Sequence, residues 1–168
     1  GLLIGAFAIR NMSRLNDADT ALYENGVGSL MALKDADLEL VKVTRAVRNA
    51  LLATTADQRE AARQAMQKGV RLTRERLEAS LKLAETDKER GLNKAVADEL
   101  TRYEAALAEM DKLIVSSDLQ TSTPAIKFLE SSLFPQVQQV GVRLNELIKY
   151  QDAESKQISE ENTALYLR

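Results

Sequence analysis

The sequence has no cysteine, no histidine and no tryptophan. Cysteine and histidine nucleophiles, histidine general bases and zinc sites of the common Cys/His type are therefore excluded. Catalysis would rest on carboxylates, lysine, tyrosine or hydroxyls alone, and no constellation of these stands out. No enzyme activity, cofactor or metal is expected. The lack of cysteine leaves the compartment open, because such a chain folds in the cytosol and in the periplasm alike. An excess of one charge is missing too: 23 basic and 25 acidic side chains leave a net charge of -2, dispersed along the chain, so nucleic acid is not an expected partner. Long apolar runs are absent. The longest, GLLIGAFAI over residues 1–9, falls short of the roughly 20 residues that span a bilayer.

With only 2 prolines and 7 glycines against many Ala, Leu, Glu, Lys, Arg and Gln, strands have little to be built from. A chain of 168 residues with 45% hydrophobic content is about one domain with a real core. The expected fold is all-α, an antiparallel up-down four-helix bundle with long first and fourth helices. Its helices are placed at about 11–53, 57–85, 88–115 and 124–168. Thr55 with Asp57 and Gln58, and Thr86 with Asp87 and Glu89, supply a capping hydroxyl and an acidic first turn for the second and third helices. The cluster SSDLQTST at Ser116 to Thr123 is the one substantial loop, and Pro124 after it suits a first helical turn. Pro135 falls inside the fourth helix, which predicts a kink or restart at Ser131 to Phe134.

The inner faces follow from spacing. Met66, Val70, Leu77, Leu81 and Ala84 are expected inside on the second helix; Val96, Leu100, Tyr103, Leu107, Met110 and Ile114 on the third. The fourth offers Phe128, Leu129, Leu133, Val137, Val140, Leu144 and Leu147. The first helix carries two stripes. Leu30, Leu33, Leu40, Thr44, Val47 and Leu51 form the bundle seam. Met31, Lys34, Leu38, Val41, Arg45, Arg48 and Leu52 form a second row, in which two guanidinium groups interrupt a mostly apolar face. This row is expected to meet another subunit, with an anion held between the chains.

Residues 1–10 are read as the end of a truncated transmembrane helix, with Arg10 and Arg14 at the membrane surface. Residues 11–168 form the bundle, and a second span is expected beyond Tyr166.

The segment RYEAALAEM, Arg102 to Met110, followed by a short loop and a fourth helix with a proline near its start, resembles the periplasmic four-helix-bundle sensory domain of bacterial methyl-accepting chemotaxis receptors. The paired arginines of VTRAVRNALL on the first helix strengthen the resemblance. It implies an inner-membrane protein with this domain in the periplasm, and a homodimer packed through the first helices. Ligand would be held near the membrane-distal end of that interface. Carried onto this chain, the contacts are Arg45 and Arg48, Gln136 after the proline, and the carbonyl-donating turn Ser131 to Phe134. Pro124 can equally be the matching proline, with the contact then at Ala125 or Lys127.

Arginine suits carboxylates because its fork makes two parallel charge-assisted hydrogen bonds. Thr44 stands beside the pair. Arg71, Thr73 and Arg74 lie at corresponding height on the second helix, and Arg102 and Tyr103 on the third. A cluster of cations without an acidic partner for an ammonium group points to a di- or tricarboxylate such as malate or citrate rather than an amino acid. The competing reading is a structural or protein-binding bundle in which the arginine stripe is an assembly surface.

Overall fold

Three interruptions divide the chain, and hydroxyl and turn residues write each of them. The computed structural model describes residues 2–120 and 123–166, apart from the side chains of 2–16, 19, 162, 165 and 166. Its elements are α1 (Leu2–Leu52), α2 (Ala56–Lys82), α3 (Asp87–Ser116), α4 (Thr123–Phe128), a π-helical turn (Leu129–Leu133) and α5 (Phe134–Tyr166). No strand occurs among the described residues. The all-α four-helix bundle expected from composition and periodicity is the observed fold.

The caps are those the residue types dictate. Thr55, in extended conformation, accepts the Gln58 N–H and starts α2, and Thr86 does the same for Glu89 at the start of α3. Glu89 reaches back to the Glu85 N–H at 3.0 Å, closing a reciprocal cap. α2 ends at Lys82, earlier than the expected Glu85, where Leu83 turns its N–H back onto the Ser80 and Leu81 carbonyls.

Around the bundle each rod touches two neighbours: α1 packs against α2 and α5, and α3 packs against α2 and α5. At 1.5 Å per residue the 51 residues of α1 run roughly 76 Å, the longest rod. The core takes Leu33, Leu40 and Val47 from the expected α1 seam, together with Ala36, Val43, Ala46 and Ala50. All six expected α3 residues are buried, and Leu133, Val140, Leu144 and Leu147 complete the core from the last rod. Each leucine, isoleucine, valine or methionine of this core contributes about 1.5–3 kcal/mol when fully withdrawn from water.

α2 departs from expectation. Leu81, placed inside by its spacing, is 42% exposed, and the buried row is Ala62, Met66, Gly69, Thr73, Leu77 and Ser80. The small members of this row, Gly69, Thr73 and Ser80, stand where α1 comes close to it. Ser29 and Ser80 hydroxyls meet at 2.7 Å in the interface, and Thr73 satisfies its buried hydroxyl by donating to the Gly69 carbonyl at 2.8 Å.

The disturbance expected at Ser131 to Phe134 takes the form of the π-helical turn. The Phe134 N–H reaches the Leu129 carbonyl, five residues back, while Phe128 and Phe134 on either side keep right-handed helical dihedrals. One extra residue in the turn carries Pro135 past the point where an α-helix would need its missing N–H. The rod continues instead of restarting.

The residue 1–10 segment expected as the end of a membrane span belongs to α1 from Leu2 onward; its side chains, with those of Arg10 and Arg14, lie outside the described residues. Among the described residues no helix is long and apolar enough to cross a membrane.

Candidate functional site

The second α1 stripe stands out of the bundle. Met31 is 64% exposed, Leu38 55%, Val41 50% and Leu52 73%, and Lys34, Arg45 and Arg48 are exposed between them. Residues 31, 38, 45 and 52 recur every seven positions and 34, 41 and 48 stand between them, the spacing of a coiled-coil seam. The described residues of the chain leave this face uncovered.

The arginines on it are unusual in this molecule. Most described arginines are engaged: Arg63 holds Asp111 through two bonds of 2.7 and 2.9 Å, Arg90 meets Asp87, Arg143 meets Glu146, and Arg59 donates to the Ile114 and Ser117 carbonyls at the end of α3. Among the described residues, Arg45, Arg48 and Arg76 have no hydrogen-bond or ion-pair partner. Only Arg45 and Arg48 stand one turn apart on the same helix.

Arg48 also borders a cleft. With Leu51 and Leu52 of α1, Gln120 of the loop and Ile126 of α4, it encloses about 410 Å³ at the end of the bundle where α1 gives way to α2. Gln120 takes a left-handed φ of 67°, a conformation few non-glycine residues adopt, as the chain turns toward α4. The apolar walls and the single guanidinium suit an anion with a short hydrocarbon body.

The other residues singled out from the sequence fall into separate groups. Tyr103, 1% exposed, fills the core, with its hydroxyl hydrogen-bonded to the side chain of Thr44; burial pushes the phenol far above its ordinary range. Thr44 also donates to the Leu40 carbonyl at 3.2 Å. Arg74 is taken by Glu104 at 2.7 Å and Thr101 at 3.1 Å, Arg71 stands out in solvent 3.9 Å from Glu75, and Thr73 is buried under α1. Arg102 and Gln136 meet through Glu99: Arg102 pairs with one carboxylate oxygen at 2.8 Å, and the Gln136 amide donates to the other at 2.8 Å and to the Glu99 carbonyl at 3.2 Å. The Gln136 hydrogen bond, then those of Arg102, hold Glu99 below the usual carboxylate range. Ser131 donates to the Lys127 carbonyl at 2.8 Å, and Phe134 is half-buried after the π-helical turn.

The structure thus brings Arg48 to α4 rather than to the turn before Pro135. Gln120 and Ile126 are the cleft residues that sequence reading missed. The available signal was Pro124, since a helix opening there places residues 125–127 beside the α1 end. Among the described residues no cluster of His, Cys, Asp or Glu is arranged to hold a metal ion.

A family profile described as a four helix bundle sensory module for signal transduction matches residues 2–166. Comparison with curated proteins and with solved structures returned no match.

Proposed function

This chain belongs to the four-helix-bundle sensory modules for signal transduction of the chemotaxis-receptor type, and from that premise we propose that it is the periplasmic ligand-binding domain of a transmembrane chemoreceptor that senses di- or tricarboxylates such as malate or citrate. The observation that carries the reading is the pair Arg45 and Arg48, exposed, unpartnered and set at seam positions of an uncovered helix face.

Two copies paired about a two-fold axis through this face place both arginine pairs at the same seam. Four guanidinium groups in one seam repel unless an anion lies among them. A ligand with two or more carboxylates removes the repulsion and gains bidentate, charge-assisted bonds. Ligand and homodimer therefore support each other. Arg48 also borders the cleft that reaches Ile126, so an anion there is placed to act on the last rod as well as on α1. Signalling is then a shift between two packings, with displacement of the last rod carrying the change toward the membrane through spans flanking the domain. The ligand is bound and released without chemistry.

A thermal-shift panel of organic acids and amino acids, repeated on Arg48→Ala, tests this. Saturation at about 100 times the dissociation constant adds about 2.7 kcal/mol of stability. A rise with citrate or malate that the variant loses supports the reading; a panel without any shift favours a structural or protein-binding bundle.

A further inference from the structure

At the end of the bundle opposite Arg48 the core changes character. Ser29, Ser80, Glu89, Asn93, Gln151 and Ser155, all but Thr73 of the buried polar side chains among the described residues, lie here and come from all four rods. The Arg48 end is closed instead by Val47, Met66, Leu107 and Met110. Within the polar part, α1 and α5 meet at Gly26. A Cβ there would lie 2.7 Å from the Ser155 hydroxyl oxygen and 2.9 Å from the Gln151 amide nitrogen, so these two α5 side chains rest on bare backbone. A contact made on glycine has no side-chain knob to fix the axial position of the passing helix. Among the described residues, the one side-chain hydrogen bond tying this stretch of α5 to another rod joins Tyr150 and Thr86 at 3.4 Å. Beside the contact a pocket of about 290 Å³, bordered by Leu22, Gln151, Glu154 and Ile158 among others, leaves α5 loosely packed on one side.

The hydrogen bonds at this joint are incomplete. Gln151 is 3% exposed; its amide nitrogen donates to Ser155, and its oxygen, sealed inside the protein, has no partner among the described residues. Ser29 and Ser80 share one bond of 2.7 Å and make no other among the described residues. Two hydroxyls carry two protons and only one of these lies in the bond, so the pair has a spare donor. An unused acceptor on α5 and an unused donor between α1 and α2 are thus buried in the same core. Ser29 lies three residues, roughly 4.5 Å, along α1 from the glycine on which Gln151 rests, on the side toward Arg48. A buried polar group left unpaired is costly, and a bond between the two would remove that cost.

From the glycine contact, the unpaired Gln151 oxygen and the spare serine proton, we propose that α5 has a second register, displaced along α1 toward the Arg48 end, in which the Gln151 oxygen accepts from the Ser29 hydroxyl. Ser80 can still donate to Ser29 in that register, so both hydroxyl protons are used. What the shift gains in hydrogen bonding it loses where Leu144 and Leu147, both fully buried, leave their seats in the apolar part of the core. That opposition keeps the second register a minor state. The joint is a two-position stop on the last rod, at the end where that rod leaves the bundle. Its use in signalling rests on the sensor reading above; the two registers themselves require no ligand.

Amide relaxation-dispersion NMR on the full chain, without any ligand, tests this. Exchange on the microsecond to millisecond scale is expected at residues 25–30 and 147–156, and not along α3 from Val96 to Ile114. Ser29→Ala removes the donor and should abolish the exchange, as should Gln151→Leu, which removes the acceptor. Ser80→Ala should act in the opposite direction: it takes away the partner of Ser29 in the present register only, and should raise the minor population about fivefold. Exchange absent from both the parent chain and Ser80→Ala, exchange spread evenly over all four rods, exchange that persists in Ser29→Ala, or a population that Ser80→Ala leaves unchanged or lowers would overturn the proposal. No carboxylate enters the experiment, so its failure and the failure of a citrate titration are separate results.

Discussion

A Cβ added to Gly69 of α2 would meet Val43 Cγ2 of α1 at 2.5 Å, closer than two carbon atoms approach one another. Gly69 is thus a point of close approach between the two helices, and it explains why the buried row of α2 alternates Met66 and Leu77 with the small residues Gly69, Thr73 and Ser80. Val43 cannot easily swing away, since its branched side chain has one preferred rotamer in a helix.

Gly69→Ala should therefore destabilise the bundle. Alanine gains about 1 kcal/mol of helix propensity, but overpacking costs about 1–3 kcal/mol, so a net loss of up to about 2 kcal/mol is expected in urea unfolding. Adding Val43→Ala should make Gly69→Ala neutral or stabilising in that background, a coupling that a double-mutant cycle reads directly.

The π-helical turn amounts to one extra residue. Deleting Ser132 should convert it to regular α-helix with α4 and α5 in unchanged register, but Pro135 then clashes in a helix interior at about 3 kcal/mol. The deletion alone should lose stability, and the deletion combined with Pro135→Ala should regain most of it. Equal unfolding midpoints for the two would contradict the link between the turn and the proline.

Much of the fold was legible in the sequence. The α3 seam from Val96 to Ile114 could be read from spacing because large apolar residues occupy every inner position, and Thr55 and Thr86 cap where a hydroxyl precedes an acidic turn. Leu81 was misplaced for a physical reason. Periodicity follows the bulky side chains, whereas the close approach at Gly69 selects small ones. The site was less legible. Equal height on neighbouring helices suggested that Arg71, Arg74 and Arg102 join Arg48, but each side chain's direction depends on rotation about its own axis, and Glu104 and Glu99 take Arg74 and Arg102.

Two carboxylates should give the stability profile opposite slopes. Glu89 is raised above its ordinary value of 4.5, mainly by desolvation. The native state then holds its proton more tightly than the unfolded chain. Its contribution is complete below the ordinary value and is lost as pH rises through the raised one. Glu99 is lowered, first by Gln136, so its contribution is present at neutral pH and lost as pH falls through the lowered value. Urea unfolding across pH 3 to 7 should show Glu89→Gln removing the first slope and Glu99→Gln the second.

The absence of native cysteine makes the α1 face easy to probe. Leu38→Cys, on the exposed stripe, should form an intermolecular disulfide under mild oxidation, faster with citrate present. Gln64→Cys, exposed on α2, should not. Equal cross-linking at both positions would remove the case for pairing through α1.

The most direct measurement is calorimetric titration of citrate and malate into the full chain and into Arg48→Ala, with Glu154→Gln as the control at the far end. Saturable binding that Arg48→Ala weakens by about tenfold or more, and that Glu154→Gln leaves intact, is the expected result. No heat from either acid, or equal affinity in Arg48→Ala, would contradict a carboxylate sensor built on the arginine pair.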